Sequence, residues 1–230
     1  MVPANVLQRV FRLKYGQSCG TCFSVDIDNR EYIVTAKHVI EGFSGSGILE
    51  IFHDNKWIPI EAQLVGAGAG DIDIAVLSFA QQLAPNWHLP FPAEDKGIFF
   101  GQDVYFLGYP YHLFTDIGQN NRHFPLPFIK KAIVSSISKV QHNAQVYYLD
   151  GHNNPGFSGG PIVFTTPDSQ NFRVAAVVSG YRFEQEAIYA GEQQTPLSYR
   201  YNTGLILGFG IFHAVELIQA NPIGIPMSYA

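Results

Sequence analysis

Long apolar runs, clusters of basic residues and further cysteines are all missing from this sequence, and each absence removes a class of function. No apolar stretch approaches the ~20 residues that a membrane-spanning helix needs. Met1–Tyr15 lack the basic start, apolar core and small-residue cleavage site of a leader peptide. A soluble chain is therefore expected, either cytoplasmic or a secreted or periplasmic mature form. The 14 Lys+Arg are outnumbered by 19 Asp+Glu, for a net charge of −5, and no basic run occurs. Neither nucleic acid nor an anionic membrane surface is expected as a partner. The two cysteines, Cys19 and Cys22, make one C-x-x-C. A zinc site would want a second pair or two well-spaced histidines. A redox pair should open a helix, yet Cys19–Ile27 reads as a strand. Residues three apart on a strand lie ~10 Å from each other, too far for a disulfide. Two reduced, packing thiols are expected. No H-E-x-x-H occurs and the histidines are scattered, so no metal and no cofactor is called for.

What is present points to an ordered globular protein: 47% of residues are hydrophobic and 14% charged, so the chain can bury a substantial core. Strand-like runs separated by turn residues recur throughout. The first group is Val10–Tyr15, Cys19–Ile27, Glu31–Thr35, Ile48–His53, Trp57–Val65 and Ile74–Phe79. The second is Val104–Leu107, Phe128–Val140, Val146–Asp150, Ile162–Thr165, Phe172–Ser179 and Leu205–Phe212. A helical segment, His213–Ala220, closes at Asn221-Pro222. Between the groups, Gln81–Lys96 is polar and carries Pro85, Pro90 and Pro92, a density that breaks strands and suits a linker. The pattern predicts an all-β chain of two six-stranded antiparallel barrels with a C-terminal helix. The units are 1–84 for the first barrel, 85–97 for the linker and 98–230 for the second barrel with the helix. Tyr111–Pro125 and Arg182–Arg200 show no clear period and read as surface loops.

The chemistry concentrates in Asn154-Pro155-Gly156-Phe157-Ser158-Gly159-Gly160-Pro161-Ile162-Val163. Glycines on both sides of one serine permit a tight, exposed turn and let a substrate approach backbone N–H groups. That is the local geometry of a serine nucleophile beside an oxyanion hole. The nucleophile needs a base, and the base needs an orienter. His38, in Thr35-Ala36-Lys37-His38-Val39, stands at a strand-to-helix corner where it can face a cleft. Asp71 and Asp73 stand at the edge of the apolar run Ile74-Ala75-Val76-Leu77, where a carboxylate can accept an imidazole N–H.

Taken in order, Thr35–Val39, Asp73–Leu77 and Gly156–Pro161 resemble the motifs of trypsin/chymotrypsin-fold serine proteases. The pattern is most similar to the bacterial single-chain branch that includes the high-temperature-requirement proteases. The resemblance implies a serine endopeptidase acting on protein or peptide substrates. It implies His38 as general base, Asp73 rather than Asp71 as orienter and Ser158 as nucleophile. The N–H groups of Gly156 and Ser158 would form the oxyanion hole. Ser179-Gly180-Tyr181 would pair with substrate backbone, with Ser179 supporting the aspartate. His152 would fall near the floor of the primary specificity pocket.

Two departures from the family pattern have consequences. Phe157 stands where the cleavage-activated branch has an aspartate that pairs with a new N-terminus. Phenylalanine cannot form that ion pair, which implies a chain active as made or switched by loop ordering. His152 is not the carboxylate that cleavage after Lys or Arg requires, so a trypsin-like preference is not expected; a histidine there could favour acidic or polar side chains, or point to solvent. Two other functions fit parts of the sequence. One is a protease-fold binding module without catalysis. The other is a serine esterase, since Gly156–Gly160 also matches G-x-S-x-G, with His213 and Asp168 as its remaining members.

Overall fold

The computed structural model describes residues 1–84, 91–139 and 144–228. After a single helical turn, α1 (Ala4–Leu7), come β1 (Val10–Tyr15), β2 (Ser18–Ile27), β3 (Arg30–Thr35), β4 (Ser46–His53), β5 (Lys56–Ala67) and β6 (Ala75–Phe79). The second group is β7 (Asp103–Gly108), β8 (Phe128–Lys139), β9 (Gln145–Asp150), β10 (Pro161–Thr166), β11 (Ser169–Ala190) and β12 (Gln193–Gly210). Then follow α2 (Phe212–Ala220) and a short β13 (Ile225–Pro226).

All of these pairings are antiparallel. In the first group the order β3-β2-β1-β4-β5-β6 is closed by pairing of β6 with β3, and in the second β10-β11-β12-β9-β8-β7 is a closed barrel. Closure removes the exposed edges that open sheets must otherwise protect. The expectation of an all-β, chymotrypsin-like fold with two six-stranded rings and a C-terminal helix holds.

Alternation of side chains along the strands fills three apolar clusters. Leu13, Ile33, Leu49, Leu77 and Phe79 fill the first ring, and Phe106, Leu149, Phe157, Phe164 and Ile206 fill the second. A third cluster, with Val10, Phe23, Val34, Leu107, Tyr109, Val163 and Ile211, draws on both rings and holds them together. Tyr109 ties this seam further, its hydroxyl lying 2.8 Å from each of the Val10 and Pro125 carbonyls, which share its one proton. The end of the chain returns to the first ring. Helix α2 lies against β5 and β6, Asn221 donates to the Val65 carbonyl at 2.9 Å, and β13 pairs with β3.

Some local expectations change. Arg182–Arg200, read from sequence as a loop, is the outer part of a long β11–β12 hairpin. Both of its faces meet water, so no apolar period marks it as strand. Tyr111–Pro125 does run as a loop, but it contains two 3₁₀ turns and is pinned by a Thr115–Leu126 bridge. Residues 85–90 of the expected linker, and Val140 at the end of one expected strand, lie outside the described residues. Within the remainder, Phe91 is buried in the inter-ring cluster and Ala93 bridges to Val174. Cys19 and Cys22 are both free thiols on β2.

Candidate active site

Three segments converge on the seam between the rings. The first is the 3₁₀ turn Lys37–Ile40 after β3, anchored by the buried side chains of Val39 and Ile40. Lys37 reaches across to the loop before β6, donating to the carbonyls of Gly68 at 3.0 Å and Gly70 at 2.8 Å. That loop carries Asp73, so the ammonium clips the histidine turn to the aspartate loop. The His38 backbone N–H donates to Asp73 Oδ1 at 2.9 Å, and its ring Nδ1 lies 2.7 Å from Asp73 Oδ2. Asp73 is partly buried whereas Asp71 is exposed, which separates the two candidates in space.

The second segment is the turn between β9 and β10. Gly156 has φ +105, and a Cβ there would stand 2.2 Å from the Tyr109 carbonyl oxygen. Gly159 has φ +84, and its Cβ would stand 2.0 Å from the Thr21 carbonyl oxygen. Only glycine fits either place. Thr21 holds the turn from the other ring: its Oγ1 donates to the Gly156 carbonyl at 2.7 Å and its N–H to the Ser158 carbonyl at 2.8 Å. Phe157 is fully buried, edge-on to Phe106 with centroids 4.9 Å apart. Among the described residues, the N–H groups of Gly156 and Ser158 donate to no protein acceptor, so both remain available to an anion.

The third segment is β11. Its register against β12 slips between Val178 and Gly180, leaving Ser179 in a bulge. Bulges re-aim a side chain that regular pairing would fix. Here the Ser179 hydroxyl donates to Asp73 Oδ2 at 2.6 Å, and the Ser179 carbonyl accepts from Ser158 Oγ at 3.1 Å. Ser158 is thus joined to the His38–Asp73 pair through Ser179, and among the described residues its hydroxyl bonds to the Ser179 carbonyl and not to the imidazole.

The electrostatics follow from these contacts. The hydrogen bond to Asp73 raises the His38 pKa above its ordinary 6.5, against the opposing effect of burial. Burial alone would raise the Asp73 carboxyl, but bonds from His38 and Ser179 outweigh it and hold the group below the usual range. A carboxylate that stays charged beside an imidazole favours the tautomer with its proton on Nδ1, leaving Nε2 free to accept one.

Of the residues singled out from sequence, His38, Asp73, Ser158, Gly156 and Ser179 meet here, and Gly180 and Tyr181 continue along β11 from Ser179. His152 does not join them. Its side chain is exposed, and its carbonyl accepts from Lys130. The buried polar side chain beside it is Asn153, which donates to the Gly180 carbonyl at 3.1 Å. Its own carbonyl accepts from Asn202 at 2.8 Å. Lys37, Thr21, Asn153 and Asn202 act across long separations, and no local pattern announces them. The elbow geometry is contradicted, because the serine leads into strand β10 and not into a helix. His213 is buried on α2 with its Nε2 accepting from the Gln145 N–H at 3.2 Å, and Asp168 is exposed in the turn before β11.

Residues 20–167, more than half of the chain, match the family model described as trypsin-like peptidase domain. No curated protein matches the chain significantly. Among solved structures, the chain is similar to an HtrA-type protease, AlgW with tripeptide, at 20% identity and a TM-score of 0.58, covering 94% of this chain and 61% of that one. It is similar to Rv3671c from M. tuberculosis, in an inactive form, at 18% identity and a TM-score of 0.59, covering 95% and 89%. It is also similar to a serine endoprotease from Yersinia pestis at 20% identity and a TM-score of 0.57, covering 96% and 67%. The chain therefore spans less than two thirds of the AlgW length. At these identities the likeness establishes the fold.

Proposed function

This chain belongs to the trypsin-like peptidase family, and we propose that it is a serine endopeptidase using His38, Asp73 and Ser158 through an acyl-enzyme intermediate. One observation carries the reading: a continuous set of hydrogen bonds runs from His38 to Asp73, from Asp73 to Ser179 and from Ser179 to Ser158. Those residues come from both rings.

In the proposed reaction a peptide enters along β11, and Ser158 Oγ leaves the Ser179 carbonyl by a rotation about its Cα–Cβ bond. That brings the hydroxyl to His38 Nε2, which takes its proton as Oγ attacks the scissile carbonyl. The N–H groups of Gly156 and Ser158 receive the developing oxyanion. Asp73 holds the Nδ1–H tautomer and steadies the imidazolium. His38 then gives the proton to the leaving amine, and a water molecule repeats the sequence on the acyl-enzyme.

The direct test is digestion of a diverse library of unstructured peptides, with new termini read by mass spectrometry. Internal cuts at reproducible sites are expected. Folded protein that makes none favours the binding-module reading.

Two results should accompany activity. The base must be neutral to accept a proton, so kcat/KM should rise with pH through the His38 pKa. Since that pKa is raised, the acidic limb should have its midpoint above pH 6.5; a midpoint at or below that value contradicts the assigned pair. The same shift makes the pair's contribution to stability complete below the unfolded histidine pKa, and it is lost as pH rises through the folded one.

The second result concerns Gly156→Ala. Alanine at φ +105 is strained, and its Cβ would collide with the Tyr109 carbonyl. The turn must shift and carry its N–H groups with it. Misplacing one oxyanion donor costs about 10²–10³ in kcat, so a loss of at least that size is expected while circular dichroism still reports both barrels. Unchanged kcat would remove Gly156 from the oxyanion site.

A further inference from the structure

The outer β11–β12 hairpin is too long to be needed for closing the second ring, and its two faces differ. Cross-strand pairing sets Phe183 against Asn202 and Gln185 against Arg200 on one face. Glu184 against Tyr201 and Glu186 against Tyr199 stand on the other. Glutamates therefore line the second face, where Glu186 accepts from the Tyr199 hydroxyl at 3.0 Å and Glu184 pairs with Arg182 at 3.2 Å.

The first face is different. Arg200 lies with its guanidinium carbon 3.4 Å from the Phe183 ring centroid. Arg9, Arg173 and Arg182 each meet a carboxylate, but Arg200 meets none among the described residues. Stacking on an aromatic ring fixes the plane of a guanidinium while leaving its N–H edge open. Tyr181, Phe183, Arg200, Tyr201 and Asn202 line a pocket of about 380 Å³, room for a side chain. Its position ties it to the proposed reaction centre. Asn202 donates to the Asn153 carbonyl, Asn153 donates to the Gly180 carbonyl, and Tyr181 is two residues beyond Ser179.

We propose that this pocket is a carboxylate-binding subsite in which Arg200 selects substrates bearing Asp or Glu on the N-terminal side of the scissile bond. The proposal rests on the endopeptidase reading and assigns that same site its substrate class. An incoming carboxylate would take the open edge of the guanidinium, with the Asn202 amide and the Tyr181 ring around it. Arg200 lines this pocket, whereas His152 does not.

The test uses the full chain and matched peptides in which Asp or Glu is exchanged for Asn or Gln at each position N-terminal to the cut. An ion pair with an exposed cation predicts a kcat/KM ratio of about threefold to fivefold for acid over amide at one position. The ratio should shrink as salt rises. Arg200→Gln should bring it to about one while leaving the rate of Ser158 modification by a fluorophosphonate, and cleavage of the amide peptides, unchanged. Arg200→Glu should bring it below one. Arg200 is exposed on the hairpin, and unchanged fluorophosphonate reactivity reports that each variant is folded. Wild-type protein without an acid preference, or an Arg200→Gln ratio equal to wild type, overturns the subsite alone. Folded wild-type protein that does not react at Ser158 overturns the endopeptidase reading and the subsite with it.

Discussion

Ser158→Ala should abolish peptide cleavage, with kcat falling by about 10⁶-fold, the cost when a member of such a catalytic unit is lost. The fold should be unaffected. Ser158 is partly buried, and its hydroxyl makes one bond, to the Ser179 carbonyl at 3.1 Å. Losing a bond of that kind costs about 1 kcal/mol, whereas the turn around it is held by backbone bonds that alanine keeps. Thr21 N–H still donates to the residue 158 carbonyl, and Gly159 N–H to the Val178 carbonyl at 2.7 Å. Cleavage kinetics and thermal melting, measured side by side, separate the two quantities. Activity of Ser158→Ala within a hundredfold of wild type would place the nucleophile elsewhere.

Asp73→Asn should lower kcat by about 10⁴-fold, again without unfolding the protein. The carboxylate receives three donors: the His38 N–H, the His38 ring and the Ser179 hydroxyl. An asparagine oxygen can replace one acceptor, but its NH₂ then faces a group that also donates. Turning that amide toward Nδ1 forces the imidazole proton onto Nε2, where it points at the nucleophile and cannot accept from it. Loss of the negative charge also removes the main cause of the raised His38 pKa. The residual activity should therefore have its acidic limb at lower pH than wild type. A pH profile distinguishes this from simple loss of structure, which would scale the rate without moving the limb. An unmoved limb would show that Asp73 does not set the imidazole.

Much of this was legible in the chain before any coordinates, and the reason differs from element to element. The strands of both rings carry apolar residues on the inward positions, so alternation announces them. The serine turn is legible because Gly156 and Gly159 occupy backbone conformations that few other residues tolerate. Asp73 could be preferred over Asp71 only through resemblance, and its burial beside His38 is what separates the two in space. The outer hairpin stayed hidden because both of its faces are wet. Phe183, Glu184, Gln185 and Glu186 show none of the alternation that a half-buried strand carries. Thr21 and Gly156 are 135 residues apart and Asn153 and Asn202 are 49 apart. Contacts of that kind leave no mark on neighbouring residues. His152 shows the limit of arguing by position alone: its place in the sequence is next to the pocket, but the buried side chain there belongs to Asn153.

The central claim is that His38 and Ser158 form one reactive unit, although the serine hydroxyl rests against the Ser179 carbonyl and not against the imidazole. Incubation with a fluorophosphonate, followed by mass-spectrometric mapping of the adduct, tests it most directly. The account predicts a single adduct on Ser158 in wild-type protein and none in His38→Ala. An adduct on another residue, or one that forms on Ser158 equally fast without His38, would contradict it.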